Sequence, residues 1–300
     1  MDSALSTIGL PIALGVIMFG LGLSLTVADF ARVRQSPRAV AVALVCQLVL
    51  LPVVCFGLVL ALDLPPLLAV GMLLLAASPG GSTANLFSHL FRGDVALNIS
   101  LTAINSIIAI VSLPLITNLA MAYFDLGDEV TLQYRKVLEV FAVVLVPVAI
   151  GMFVRARSTA FADRMDKPVR IGSAFLLFVI IVGIIVDQRS NVVDYATSVG
   201  VAVTVFCLVS LVVGYLVPRW AGVTDRQAVA CSFEIGVHNA TLAIYVAVEV
   251  LDSVELSVPA AVYGLLMFPL AAVWGVALTR WILPQEPGDV TRPSSAPRAR

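Results

Sequence analysis

The 300-residue sequence predicts an all-α, polytopic membrane protein with nine transmembrane helices, and three observations carry that reading. Hydrophobic residues make up 60% of the chain and charged residues 12%, where soluble domains carry about 25% charge. Nine apolar segments follow one another, at about 8–28, 38–61, 66–91, 95–121, 137–154, 169–186, 196–217, 227–250 and 257–282; roughly 20 apolar residues cross a bilayer as a helix. Of the 18 basic residues, 15 fall between alternate segments or in the tail, the positive-inside pattern of an odd number of spans with the N-terminus outside and the C-terminus cytoplasmic.

The segments justify themselves in order. Met1 to Thr7 lack a basic n-region and no small-residue cleavage site follows, so segment one reads as a retained membrane helix. Arg32, Arg34 and Arg38 mark the first inner loop, and Gln47 is a polar residue inside segment two. Segment three is interrupted at its midpoint by Ser78-Pro79-Gly80-Gly81-Ser82-Thr83-Ala84-Asn85. Proline removes a donor and paired glycines weaken the helix where lipid supplies no replacement hydrogen bonds. Segment four carries Asn98 and Thr102 one turn apart on one face; Asn105 reads as packing on a nearby face. Segments five and six are the shortest, and the basic cluster from Arg155 to Arg170 between them reads as a topology signal. Segment eight holds Glu234 well inside the hydrocarbon, in Cys231-Ser232-Phe233-Glu234-Ile235-Gly236-Val237-His238-Asn239-Ala240-Thr241. A carboxylate at that depth costs several kcal/mol unless it is paired, protonated or facing a polar cavity. Trp220 and Trp281 each follow an arginine at an inner boundary, where aromatic anchors are expected. The Pro-, Ser- and Arg-rich stretch 284–300 reads as a disordered cytoplasmic tail after a transmembrane domain spanning 1–283.

A net charge of −1 argues against a nucleic-acid partner. Cys46, Cys55, Cys207 and Cys231 all lie in apolar runs and form no metal or disulfide framework. The absence of long loops and of a cleaved signal points to a bacterial inner membrane, with lipid as the surrounding partner.

Segments three and eight are five apart, so they cross in opposite directions, and each is broken near mid-depth and followed by an asparagine, Asn85 or Asn239. Paired broken helices of opposite sense point to an inverted repeat and to a binding site at the bilayer midplane; segments one to four and five to nine are the repeats. Broken helices free carbonyls on one side and amides on the other. Carbonyls, amide oxygens, hydroxyls and a carboxylate suit a small alkali cation, while the half-helix amides favour an anion. Ser82, Thr83 and Asn239 lie at or beside the half-helix starts and are the candidate contacts for an organic anion. The expected activity is secondary active transport coupled to cation entry. A membrane enzyme using Glu234 and His238 as an acid–base pair is the rival. It lacks an activated nucleophile, a metal cluster and a cofactor motif, so the chain is read as not an enzyme.

Three motifs together resemble the bile acid:sodium symporter family, in its nine-helix form: Pro79-Gly80-Gly81-Ser82-Thr83-Ala84-Asn85, Arg92-Gly93-Asp94-Val95-Ala96-Leu97 and Glu234-Ile235-Gly236-Val237-His238-Asn239. The likeness runs from Gly15-Val16-Ile17-Met18-Phe19-Gly20 to the last span. It implies two crossed discontinuous helices, a core of helices two, three, four, seven, eight and nine, and a panel of helices one, five and six. Alternating access follows from movement of one against the other. It also implies up to two sodium ions: one lined by Asn85, Asn98, Thr102 and Glu234, the other by Gln47, Glu234 and His238 with the carbonyls of Ile235 and Val237. Three positions depart from the family pattern: Ala84 and Asn98 stand where serines are common, and His238 where glutamine is common. Imidazole is a poor sodium ligand and titrates near neutral pH, so a proton-coupled variant through His238 stays open. Met267-Phe268-Pro269 replaces polar substrate contacts of some members, which puts bile acids themselves in question beside other carboxylates. Oligomeric state is left open, a monomer being the simplest case.

Overall fold

The computed structural model describes residues 10–126, 134–187 and 192–283; the N-terminal stretch, the tail from 284 to 300 and Arg189 lie outside the described residues. Every one of the nine apolar segments falls on a helix or a helix pair among the described residues. Segment one forms α1 (Leu10–Ser24) and α2 (Val27–Arg32). Segment two is α3 (Pro37–Val45), a wide π-helical turn (Cys46–Leu50) and α4 (Leu51–Ala61). Segment three is split into α5 (Pro66–Ala77) and α6 (Ser82–Leu90), and segment four is the unbroken α7 (Val95–Tyr123). Then come α8 (Tyr134–Arg157), α9 (Thr159–Asp187) and α10 (Val192–Trp220). Segment eight is split into α11 (Asp225–Gly236) and α12 (Ala240–Tyr245), and α13 (Val258–Ala277) closes the chain.

Among the described residues, four helical stretches are long and apolar enough to cross a membrane unaided: Pro37–Ala61, Val95–Tyr123, Val199–Trp220 and Glu255–Ile282. The first segment departs from the single rod expected of it. Leu14–Ser24 and Val27–Gln35 meet at 71°. The bend has a local cause: the buried Asp29 carboxylate reaches back to accept from both the Thr26 amide and the Thr26 hydroxyl, each at 2.7 Å, a capping box that starts a new helix.

Gln47 lies in the π-helical turn; such turns recur at functional sites. Pro52, with no amide hydrogen, sits just beyond that turn. At the other end of segment three, Arg92 adopts φ 63°, Gly93 abuts Ser88 so closely that a Cβ would collide with its hydroxyl, and the Asp94 carboxylate caps α7 by accepting from the Leu97 amide at 3.0 Å. The Arg92-Gly93-Asp94 motif is thus the turn that sets the start of α7.

The helices pack along one another, and α9 also meets α13. α1 lies along α8 and α9, while α10, α11 and α13 pack on one another, and α7 packs on α5, α6 and α11. Where α1 meets α8 there is no space for side chains: a Cβ on Gly22 would strike the Val148 backbone, and one on Gly151 the backbone from Phe19 to Leu23. Small residues permit such approach, which is how helices bind where lipid removes the hydrophobic drive. Arg155 closes this contact by donating to the Leu23 carbonyl at 2.8 Å. Trp220 and Trp281 are 79% and 80% exposed, as boundary anchors would be. All four cysteines are buried and free.

Candidate functional site

The two interruptions meet. α5 stops where Ser78 turns extended (ψ 141°), since Pro79 cannot donate and the following glycines do not hold a helix. α11 stops at Gly236. The two short extended pieces then pair antiparallel, Gly80 opposite His238. The Gly81 amide donates to the Val237 carbonyl and the Asn239 amide to the Pro79 carbonyl, both at 2.8 Å. Each break therefore satisfies backbone groups of the other, the condition for irregular backbone away from water. Tyr263, wholly buried in α13, adds a third tie by donating to the Gly236 carbonyl at 2.8 Å.

Glu234 occupies the last turn of α11 with no exposure. Its Oε2 accepts from the Thr102 hydroxyl at 2.5 Å and its Oε1 from the Asn105 amide at 3.1 Å, both on α7. Gly80 must be glycine here: a Cβ would overlap the Glu234 carboxyl and its backbone carbonyl. Asn98, one turn before Thr102, donates to the Ala230 carbonyl at 2.7 Å. The Thr102 hydroxyl also lies 3.1 Å from the Asn98 carbonyl. It has one proton, which belongs on Glu234 when that acid is ionised.

Gln47 and His238 come together at a different point. The Gln47 amide donates to the Ser78 carbonyl at 3.0 Å and lies 3.3 Å from that of Ala76. His238 Nδ1 is 3.1 Å from the same Ser78 oxygen. A carbonyl only accepts, so Nδ1 carries the proton. The His238 ring is held between Phe206, stacked at 5.5 Å, and Tyr263, edge-on at 5.4 Å.

Four buried side-chain amide oxygens have no donor among the described residues: Gln47 Oε1, Asn85 Oδ1, Asn98 Oδ1 and Asn105 Oδ1. Orphaned acceptors in a native interior call for an explanation. A hard cation supplies one, because it takes oxygen ligands and replaces the missing donors. Among the described residues no group of three His, Cys, Asp or Glu side chains gathers, so the donor set suits an alkali cation rather than a soft transition metal.

Of the remaining sequence-predicted residues, Ile235 and Val237 are fully buried, and the Val237 carbonyl already accepts from Gly81. Asn239 is 8% exposed and its side-chain oxygen caps α12 by accepting from Leu242 at 3.1 Å. Thr83 is half-buried in the first turn of α6. Ser82 begins that helix, with its side chain outside the described set. The acid–base pair of the rival reading does not form as a regular helix would present it. The chain turns after Gly236, sending Glu234 to α7 and His238 to Ser78.

Two further residues reach this region. Asn105, read from sequence as packing on a nearby face, bonds to Glu234; its position three residues after Thr102 places it within reach of the same face. Tyr263 gave no local signal, being an aromatic residue in an apolar helix.

A family model described as the sodium bile acid symporter family matches residues 11–195. Among curated proteins, the chain is 27% identical over 271 residues to a probable sodium/metabolite cotransporter of Arabidopsis thaliana chloroplasts, covering 88% of this chain and 66% of that one. An uncharacterized sodium-dependent transporter of Bacillus subtilis is 25% identical, with 84% and 77% covered. The human ileal sodium/bile acid cotransporter is 28% identical, with 79% and 68% covered. The chain thus spans about two thirds of the length of the Arabidopsis and human relatives.

Proposed function

The chain belongs to the sodium bile acid symporter family, and from that premise we propose that it is a secondary active transporter carrying a small organic anion, together with sodium, across a bacterial inner membrane. The observation that carries this reading is the crossover itself: two antiparallel breaks, a fully buried acid and, bonded to that acid, Asn105, whose amide oxygen has no donor among the described residues. In this reading Glu234, Thr102, Asn98 and Asn85 hold one sodium ion, while Gln47, Glu234, His238 and the carbonyls of Ile235 and Val237 line the place of a second. Glu234 supplies the negative charge. The starts of α6 and α12 turn the partial positive ends of their dipoles toward the anion, and Ser82, Thr83 and the Asn239 amide nitrogen complete that side. Positive potential from the cation and the helix starts then offsets the anion's charge without any Lys or Arg at mid-depth.

Nine spans, N-terminus outside, form two inverted repeats in this account. The close packing of α1 along α8 and α9 supports a panel against which the core moves. The names of the relatives support sodium dependence and organic anions; the chain's own substrate follows from assay. Purified protein in proteoliposomes is expected to take up its anion, found by a thermal-shift screen of carboxylates, sulfonates and bile salts, in sodium but not in choline buffer. Glu234→Ala and Asn239→Ala abolish that uptake. Equal uptake in both buffers refutes sodium coupling.

A further inference from the structure

We infer that Asn105 is a determinant of cation affinity and selectivity, acting on the ion and on Glu234 at once; this rests on the sodium-coupled reading above. Asn105 is 2% exposed. Its amide nitrogen is spent on Glu234 Oε1 at 3.1 Å, and its Oδ1 is buried with no donor among the described residues. Nitrogen and oxygen branch from one carbon, so the bond that ties Asn105 to the carboxylate also fixes the empty oxygen within a few ångströms of it. The orientation is not arbitrary. An ionised carboxylate only accepts, so the NH2 group must face it and the oxygen must face away.

The consequence is a pairing of two effects. The N–H bond holds in place one oxygen of Glu234, the acid that attracts a cation. The oxygen adds a neutral hard ligand beside it. Thr102 holds the other carboxylate oxygen, so residues 102 and 105 grip the acid from both sides and fix its plane. A carboxylate held in this way offers a cation ligand oxygens at fixed spacing, and fixed spacing separates sodium from the larger potassium.

The experiment reads sodium binding rather than transport. Purified protein in detergent is unfolded thermally over a sodium series at constant ionic strength, balanced with choline. It is compared with Glu234→Gln, Asn105→Leu and Asn105→Asp, and lithium and potassium series are run alongside. The sodium concentration for half-maximal stabilisation is expected to rise at least tenfold in Asn105→Leu, and the preference for sodium over potassium to narrow. In Asn105→Asp the oxygens remain but the donor is lost and a like charge is added, so half-maximal stabilisation shifts toward higher sodium as well. A merely structural role lowers the unfolding temperature in choline and leaves the sodium midpoint and selectivity in place; that outcome overturns the inference. Failure of the functional reading is separate: there the unmodified protein, like Glu234→Gln, shows no sodium response. A response present in the parent, lost in Glu234→Gln and unchanged in both Asn105 variants removes Asn105 alone.

Discussion

Replacing Thr102 with valine tests the ion site with the least disturbance of shape. Valine keeps the branched outline and removes only the hydroxyl, which lies 2.5 Å from Glu234 Oε2 in a region of no exposure for either residue. A hydrogen bond to a charged group contributes about 1.5–3 kcal/mol, and each 1.4 kcal/mol is about tenfold in an equilibrium constant. Thr102 is proposed as a ligand of the same cation as Glu234, so loss of a contact of that strength is expected to raise the sodium concentration that half-saturates the protein roughly ten- to hundredfold. Sodium-dependent thermal stabilisation measures it directly, and sodium-dependent uptake in proteoliposomes should show the same displacement. The Asn98 carbonyl that Thr102 also approaches lies within α7, so the helix itself survives. A sodium midpoint within twofold of the parent refutes the assignment of Thr102 and Glu234 to one cation site.

Two further substitutions separate the site from its scaffold. Gly80→Ala places a methyl group against the Glu234 carboxyl and carbonyl; overpacking of about 1–3 kcal/mol is expected to lower the unfolding temperature and to weaken or abolish the sodium response, and parent-like values of both would show that the crossover is looser than described. Arg155→Ala removes the donor to the Leu23 carbonyl and an ion pair with Asp163 at 3.2 Å, whose carboxylate side chain is 67% exposed. The exposed pair contributes little, so the loss is chiefly that of one charge-assisted bond, about 1.5 kcal/mol. It should appear in thermal unfolding with the sodium midpoint unmoved; a changed midpoint would tie the α1–α8 contact to the ion site.

What was legible in the chain depended on how local its cause was. Pro79, Gly80 and Gly81 interrupt a helix by covalent geometry, so the break in segment three was readable in place, as was the unusual depth of Glu234. The bend at Leu25–Thr26 was also local: the Thr26-to-Asp29 spacing is a capping signature, but it was hidden inside an apolar run read for length alone. Contacts made at a distance were a different matter. That His238 shares the Ser78 carbonyl with Gln47, or that Tyr263 reaches Gly236, depends on helices far apart in sequence. Asn105 lies between these cases. Its helical face was computable, but its value became visible only once α11 had been laid against α7.

The mutual bonding of the two breaks also has a bearing on how the polypeptide is made. The Gly81 amide waits for the Val237 carbonyl, which leaves the ribosome roughly 150 residues later, on the order of ten seconds at ordinary elongation rates. For that interval the first pair of half-helices has bare peptide groups and no mate. Nascent chains halted before α11 should therefore stay beside the insertion machinery or a wet vestibule, and release into bulk lipid should coincide with arrival of the second half.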